Sequence, residues 1–367
     1  MKIICLQENL KQSLNLAQNI VGRNLTLPIL NNLLLQTDSG RLKISATNLE
    51  IGINLWVSGK TEKDGALTVP AKIMAGFVNN LPSGKKVEIE AKGNNLLIKC
   101  ENYRATIKGL PADDFPIIPN IKDELIAEFD GVALKNGLDK VAAMAAVSEL
   151  RPEITGVLFK FNKGNLKLAA TDSFRLAEYI LAGFDKKNQA DESFIVPQRT
   201  VQELIKILGE RQGQLKLILG GNQILLAGDD WQLVSRLVEG QYPDYQQIIP
   251  NNYALQVTVD KNELVNTVRL AGIFSSKIND VQFVFRDSKL EVISQDSDLG
   301  ENKSVLSIEA KGKDLTVSFN YRYFLDGLQN IEDKKIFIGL GSESAPAVLK
   351  GTGNEKYLYV IMPIKGN

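Results

Sequence analysis

The sequence predicts an α+β chain of three tandem similar domains, each holding two strand-helix-three-strand units. Three observations carry this prediction. First, the chain repeats itself: LPILNNLLLQTDSGRLKISATNLEIGI from 27, RPEITGVLFKFNKGNLKLAATDSFRLAEYI from 151 and SSKINDVQFVFRDSKLEVISQDSDLGE from 275 share an extended run, a turn and a second extended run. Thr47, Thr171 and Gln295 occupy equivalent places, 124 residues apart each time. Second, the flanks repeat as well, since LTVPAKIMAGFVNNL at 67, FIVPQRTVQELIKIL at 194 and VSFNYRYFLDGLQNI at 317 each pass from a β-type run into a helix. Third, within each copy the apolar period switches between 2 and 3.6 residues, the signature of alternating strands and helices.

The elements follow in order. Residues 2 to 6 alternate as a strand, and 8 to 21 place Leu10, Leu14, Leu16, Ala17, Ile20 and Val21 at helical spacing. Three β-type runs reach to about 58. A strand at 65 to 69, a helix at 71 to 81 and runs at 86 to 92, 95 to 100 and 103 to 108 complete the copy, with NN and GN turns between them. Pro70 and Pro197 are expected at the first helical position, where the missing N–H costs nothing, and Asn320 is expected as the N-cap of the matching helix in the third copy. GLPADDFPIIP at 109 and EGQYPDYQQIIP at 239 read as extended linkers, which sets the domains at 1–120, 121–251 and 252–367.

Composition excludes several chemistries. The 367 residues contain no histidine, so no Ser-His-Asp or Cys-His nucleophile, HExxH zinc site or imidazole base exists. Cys5 and Cys100 lie in strand-like runs and read as reduced core thiols; two thiols cannot complete a four-ligand metal site. Asp113-Asp114 and Asp229-Asp230 fall where turns use Asp for local hydrogen bonding, which disfavours a carboxylate enzyme. LGGN at 219 and GLGS at 339 read as hairpin turns, without the helix and lysine of a phosphate loop. No apolar run approaches the roughly 20 residues of a membrane span, and MKIICLQENLKQ lacks the apolar stretch of a secretory signal, so a cytoplasmic location is expected rather than an adhesion or scaffold role outside the cell.

A period of this length is a whole domain, and three domains related by similar rotations trace an arc that can close into a ring. Six helices spaced about 10 Å apart around a hole would leave an opening of about 9 Å, too narrow for a nucleic acid duplex; twelve would leave about 28 Å. A ring of two chains could therefore pass a duplex. Lys+Arg and Asp+Glu both number 43, and a modest basic excess on the predicted helices is the expected local departure from this balance.

TLPILNNLLL at 26, ATNLEIGI at 46, LTVPAK at 67, GLPADDFP at 109, RPEITGVLF at 151, ATDSFRLAEY at 170, QYPDYQQIIP at 241 and YVIMPIK at 359 together resemble the beta sliding clamp family, the processivity subunit of bacterial DNA polymerase III. The resemblance covers essentially the whole chain. It implies a non-catalytic protein without cofactor or metal, whose three clamp domains form a ring as a head-to-tail homodimer. The ring would encircle duplex DNA without reading its sequence, and would tether the polymerase for processive synthesis. Points matching the family's DNA-facing positions are Arg23, Lys72, Arg199 and Arg322, although pattern alone does not separate such contacts from exposed cations.

The resemblance also implies a pocket between domains two and three. There the polymerase catalytic subunit, the clamp loader, other polymerases and repair proteins would dock a short extended peptide with apolar anchors. Its matching residues are Ile154, Thr171, Ser173, Phe174, Arg175, Leu176, Pro243, Gln247, Ile248, Pro346, Val360, Ile361, Met362, Pro363 and Ile364. Apolar side chains would form the floor, Met362 would adapt to different ligands, and Arg175 would supply an oriented polar contact. Pattern alone favours strand core for Leu176, Ile248 and Val360. Ser173-Phe174 replaces a Gly-His that is common in the family, and Gln247 stands where a basic residue is frequent. For the dimer contact the implied residues are Arg104 and Ile107, on the edge around Tyr103 to Lys108, meeting Ile273 and Phe274, which pattern alone also allows as helix-end core.

Overall fold

The computed structural model describes residues 1–22, 27–121, 124–162, 164–186 and 192–364. Six α-helices are formed: α1 (Gln7–Ile20), α2 (Ala71–Asn79), α3 (Gly131–Val141), α4 (Gln198–Glu210), α5 (Lys261–Ile273) and α6 (Tyr321–Gln329). Their amphipathic spacing explains their placement. In α4, Val201, Leu204, Ile207 and Leu208 are buried while Arg199, Gln202 and Lys206 face outward, the i, i+3, i+6, i+7 stripe of a helix packed on a sheet.

Helix starts are finished by tertiary contacts rather than by side-chain caps alone. The first N–H of α1, α3 and α5 donates to the carbonyls of Lys85, Gly213 and Lys334 at 2.9, 2.9 and 2.8 Å, one equivalent bond per copy. Each satisfies a donor that would otherwise be orphaned at a helix start. Asn320 is the N-cap of α6, accepting from the amides of Arg322 and Tyr323. The proline expectation is corrected: Pro70 closes the strand Ala66–Pro70 as the N-cap of α2, and Pro197 closes Ser193–Pro197, so both stand one position before the helix. Their ladder partners, Asn32 and Gly156, keep them in the strand, where φ near −65° is tolerated at a sheet edge.

The chain divides into two compact units: Met1–Lys135, Gly183–Ala190 and Arg199–Val238 in the first, and Asn136–Ala182, Asp191–Gln198 and Glu239–Asn367 in the second. In the first unit, a five-stranded antiparallel sheet runs in the order Gly59–Lys63, Lys2–Leu6, Lys86–Lys92, Asn95–Cys100, Tyr103–Lys108. A nine-stranded sheet joins two copies of the repeat, because Trp231–Arg236 pairs with Ile51–Val57, Trp231 opposite Leu55 and Ser235 opposite Ile51. The second unit repeats this design. Its nine-stranded sheet is joined where Tyr357–Ile361 pairs with Arg175–Leu181, Tyr357 opposite Tyr179 and Ile361 opposite Arg175. A four-stranded sheet follows the order Gly300–Ser307, Lys289–Asp296, Asp280–Arg286, Leu315–Asn320.

Short strands at Gly59–Lys63, Asp185–Lys186 and Glu309–Gly312 extend each unit beyond the three expected runs. Two of them depend on glycine. A Cβ on Gly59 would lie 2.6 Å from the Ile4 carbonyl oxygen, and one on Gly312 would lie 2.0 Å from that of Ala254. Backbones that close admit no side chain.

The cores are the apolar faces between helices and sheets. In the second unit Phe283, Phe319 and Phe324 are fully buried, with ring centroids 4.6 to 5.6 Å apart. Phe324→Ala is expected to lower unfolding stability by about 3 to 5 kcal/mol, through lost transfer energy and an unfilled cavity. Phe174→Ala, at an exposed position, should stay within about 0.5 kcal/mol. Denaturant midpoints at constant m check both. Cys5 and Cys100 are buried free thiols, and burial pushes Cys5 up to about 12, so it is an unreactive core residue.

Candidate functional site

The turn at 171–175 is built from local hydrogen bonds. Thr171 Oγ1 donates to the Arg175 carbonyl at 2.7 Å and accepts from the Ser173 amide at 3.1 Å, while Asp172 Oδ1 accepts from the amides of Phe174 and Arg175, both at 3.0 Å. The first copy has the same device in Thr47 and Asn48. It forces the third turn residue into the left-handed region: φ is 76° at Leu49 and 77° at Ser173. Ser173 thus occupies a conformation that glycine adopts at no steric cost. The turn presents Phe174 outward, 61% exposed.

The tail after Tyr357–Ile361 runs beside this turn. Ile361 pairs with Arg175 and Val360 with Leu176; the Met362 amide then donates to the Phe174 carbonyl at 2.8 Å, and the Ile364 amide to the Ser318 carbonyl at 2.8 Å. Pro346 is half-buried just before Ala347–Gly351, whose Ala347 lies opposite Ile361. Ile154, Leu176, Val360 and Ile361 are buried, at 2% exposure or less. Met362, Pro363 and Ile364 are half-buried.

Pro243, Gln247 and Ile248 arrive from the segment that precedes the third copy. This is a one-turn 3-10 helix, Tyr245–Ile248, rather than the fully extended linker expected, and Ile248 is 44% exposed, not strand core. Gln247 donates to Asp244 at 2.9 Å. Arg175 is already engaged: its Nε donates to Asp172 Oδ2 at 2.8 Å, its Nη1 to Asp326, and its guanidinium lies 4.3 Å from the Tyr323 ring centre. Two of its N–H groups therefore tie the turn to Asp172 and Asp326. Arg151, not among the expected site residues, reaches Ser173 Oγ at 2.9 Å and brings the loop with the exposed Val147 and Leu150 to the rim. No periodic pattern marks an irregular loop of this kind, so only the fold could find it.

Arg23 lies outside the described residues. Lys72 and Arg322 are exposed in the first turns of α2 and α6, and Arg199, exposed in α4, reaches the Ile20 carbonyl at the end of α1 at 3.5 Å. Within the six helices Lys11, Lys72, Lys135, Lys140, Arg199, Lys206, Lys261, Arg269 and Arg322 stand against Glu8, Asp139, Glu203, Glu210, Glu263 and Asp326. That basic excess is small, and Lys206 and Lys140 are bonded at 2.8 Å to Glu203 and Glu332. Such a face attracts a polyanion weakly.

Ile273 ends α5 at 62% exposure, so helix-end core does not describe it, while Phe274 is half-buried, 4.0 Å from where a Cβ on Gly300 would sit. Arg104 is exposed, and Ile107 is buried against its own sheet. Among the described residues no cluster of three His, Cys, Asp or Glu side chains suited to a metal occurs, and no helix is long and apolar enough to cross a membrane.

Three tandem copies of paired helices against antiparallel sheets, spliced strand to strand between copies, define the class: a DNA sliding clamp. The chain belongs to the DNA polymerase III beta subunit family, whose N-terminal, central and C-terminal domain models match residues 1–119, 128–244 and 246–365. A beta sliding clamp of Synechocystis sp. is 29% identical, covering 100% of this chain and 99% of the relative. The crystal structure of a sliding clamp from Pseudomonas aeruginosa bound to griselimycin is similar with TM-score 0.95 at 27% identity, over 100% of both chains. The DNA polymerase III beta subunit from Thermotoga maritima gives TM-score 0.93 at 26% identity, also over 100% of both. The family's function is to tether the replicative polymerase to DNA, a non-catalytic role in replication.

Proposed function

We propose that two copies of this chain close head to tail into a ring around duplex DNA, in the cytoplasm, with domains at 1–120, 121–251 and 252–367. One observation carries the reading. Each internal joint pairs the last strand of one copy with the fourth strand of the copy before it, giving nine strands. Tyr103–Lys108 and Gly300–Ser307 are the equivalent strands left at sheet edges, on sheets of five and four. Unpaired edges of this kind are templates for another chain.

The internal registers transfer to this joint. Ile53 opposite Leu233 and Ala177 opposite Tyr359 place Ala105 opposite the partner's Asn302. Arg104 and Ile107 would then lie in the joint, with Ile273 and Phe274 flanking it. The Ala105→Cys, Asn302→Cys double variant is expected to oxidise to a closed covalent dimer, since directly opposed Cβ atoms stand about 4.5 to 5.5 Å apart. Gel mobility under denaturing conditions reads the result. Each single variant should stay uncrosslinked, because Cys5 and Cys100 are buried; a double variant that also stays uncrosslinked places the joint elsewhere.

Arg23, Lys72, Arg199 and Arg322 would face the DNA, contributing a weak, sequence-independent attraction. The surface of Phe174, Pro243, Gln247, Ile248, Pro346, Met362, Pro363 and Ile364, with the buried Ile154, Thr171, Leu176, Val360 and Ile361, would dock short extended peptides with apolar anchors. Ser173 and Arg175 would set the rim. The polymerase catalytic subunit, the clamp loader, other polymerases and repair proteins would share it. Exposed apolar side chains such as Phe174 and Ile248 support this reading.

A further inference from the structure

The strand Arg175–Leu181 carries a buried carboxylate, Glu178, 6% exposed. The pairings put Asn54 and Lys303 at the same place in the other two copies. Asn54 is satisfied within its own sheet by the Ser45 hydroxyl at 2.7 Å, and Lys303 is an exposed partner of Glu291. Glu178 alone reaches out of its sheet: Oε2 accepts from the Tyr245 hydroxyl, and Lys167 Nζ lies 3.4 Å away. Tyr245 is buried and packs edge-to-face on Tyr242, ring centroids 6.3 Å apart. Burial and the adjacent carboxylate raise the Tyr245 hydroxyl above its ordinary pKa, so it stays protonated and donates.

We infer that the Glu178–Tyr245 bond is an anchor that pre-positions the Tyr245–Ile248 turn, and with it Pro243 and Ile248, for peptide binding. A buried charge is costly unless it is bonded, and a hydrogen bond to an ionised acceptor is about twice as strong as a neutral one. The pair therefore locks its two segments in one arrangement. The turn's own bonds are few: the Tyr245 amide to the Pro243 carbonyl at 2.8 Å, and longer bonds of 3.4 and 3.3 Å from the Gln247 and Ile249 amides. Without the anchor, the ligand must order this segment as it binds, at a cost in affinity.

The inference rests on the peptide reading above, and the test separates the two. A fluorescein-labelled extended peptide with leucine and phenylalanine anchors is titrated onto the full-length dimer and followed by anisotropy. Tyr245→Phe is expected to weaken binding about tenfold by loss of pre-organisation, and to speed hydrogen exchange at residues 246–249 in the free protein. The Glu178→Gln, Tyr245→Phe variant leaves no uncompensated charge and should show the same loss. Unchanged affinity in Tyr245→Phe while Ile248→Ala weakens binding overturns the anchor alone. Unchanged affinity in both overturns the peptide site. Weaker binding without faster exchange, or parental affinity in the double variant, also overturns the anchor.

Discussion

Rings of the Ala105→Cys, Asn302→Cys variant, oxidised in the presence of nicked circular DNA, are expected to remain on the circle in about 1 M salt, where the Debye length is about 3 Å, and to leave when the circle is cut once. The expectation comes from the charge distribution. Formal net charge is zero, and the helices carry only the small basic excess described above, part of it bonded to carboxylates. A protein held by 6 to 10 phosphate contacts would lose about 10³ to 10⁵ in affinity between 50 and 200 mM salt. A linked ring should lose almost nothing. Sedimentation of circle-bound protein before and after linearisation measures it; retention on the cut molecule would mean that affinity, not topology, holds the chain on DNA.

Ending the chain at Ile361 is expected to reduce peptide affinity by about 100-fold or more, because Met362, Pro363 and Ile364 supply several central anchors of about 2 kcal/mol each. The fold should survive. Among the described residues two backbone bonds are lost, from Met362 to Phe174 and from Ile364 to Ser318, together worth about 1 to 3 kcal/mol. Neither strand of the proposed joint, Tyr103–Lys108 nor Gly300–Ser307, contains a removed residue, so the dimer should persist by sedimentation. Titration of the labelled peptide decides the point, and an unchanged affinity would move the site elsewhere on the molecule.

Much of the fold was legible because apolar periodicity reports burial directly. The runs at 86–92, 95–100 and 103–108 coincide with strands, and α1 and α2 begin and end within two residues of the expected limits. Pro70 was displaced by one position because the same φ suits the last strand residue and the helix cap. The short strands at Gly59–Lys63, Asp185–Lys186 and Glu309–Gly312 escaped because they are brief and mostly exposed, so they carry no apolar signal.

At the candidate site, the residue types and their order along the chain could be read, but not their states. That Leu176 and Val360 are buried while Phe174 and Ile248 are exposed depends on the register between Arg175–Leu181 and Tyr357–Ile361, strands some 180 residues apart. Arg175 turning to Asp326, and Glu178 to Tyr245, are also contacts between distant segments. Local sequence holds no trace of them. By itself the sequence determined the threefold repeat, the element types and the absence of imidazole chemistry, since these follow from composition and short-range spacing. Only the tertiary structure decided which strands join the copies and which of their equivalents lie at sheet edges, because strand pairing is set by long-range packing that no local period encodes.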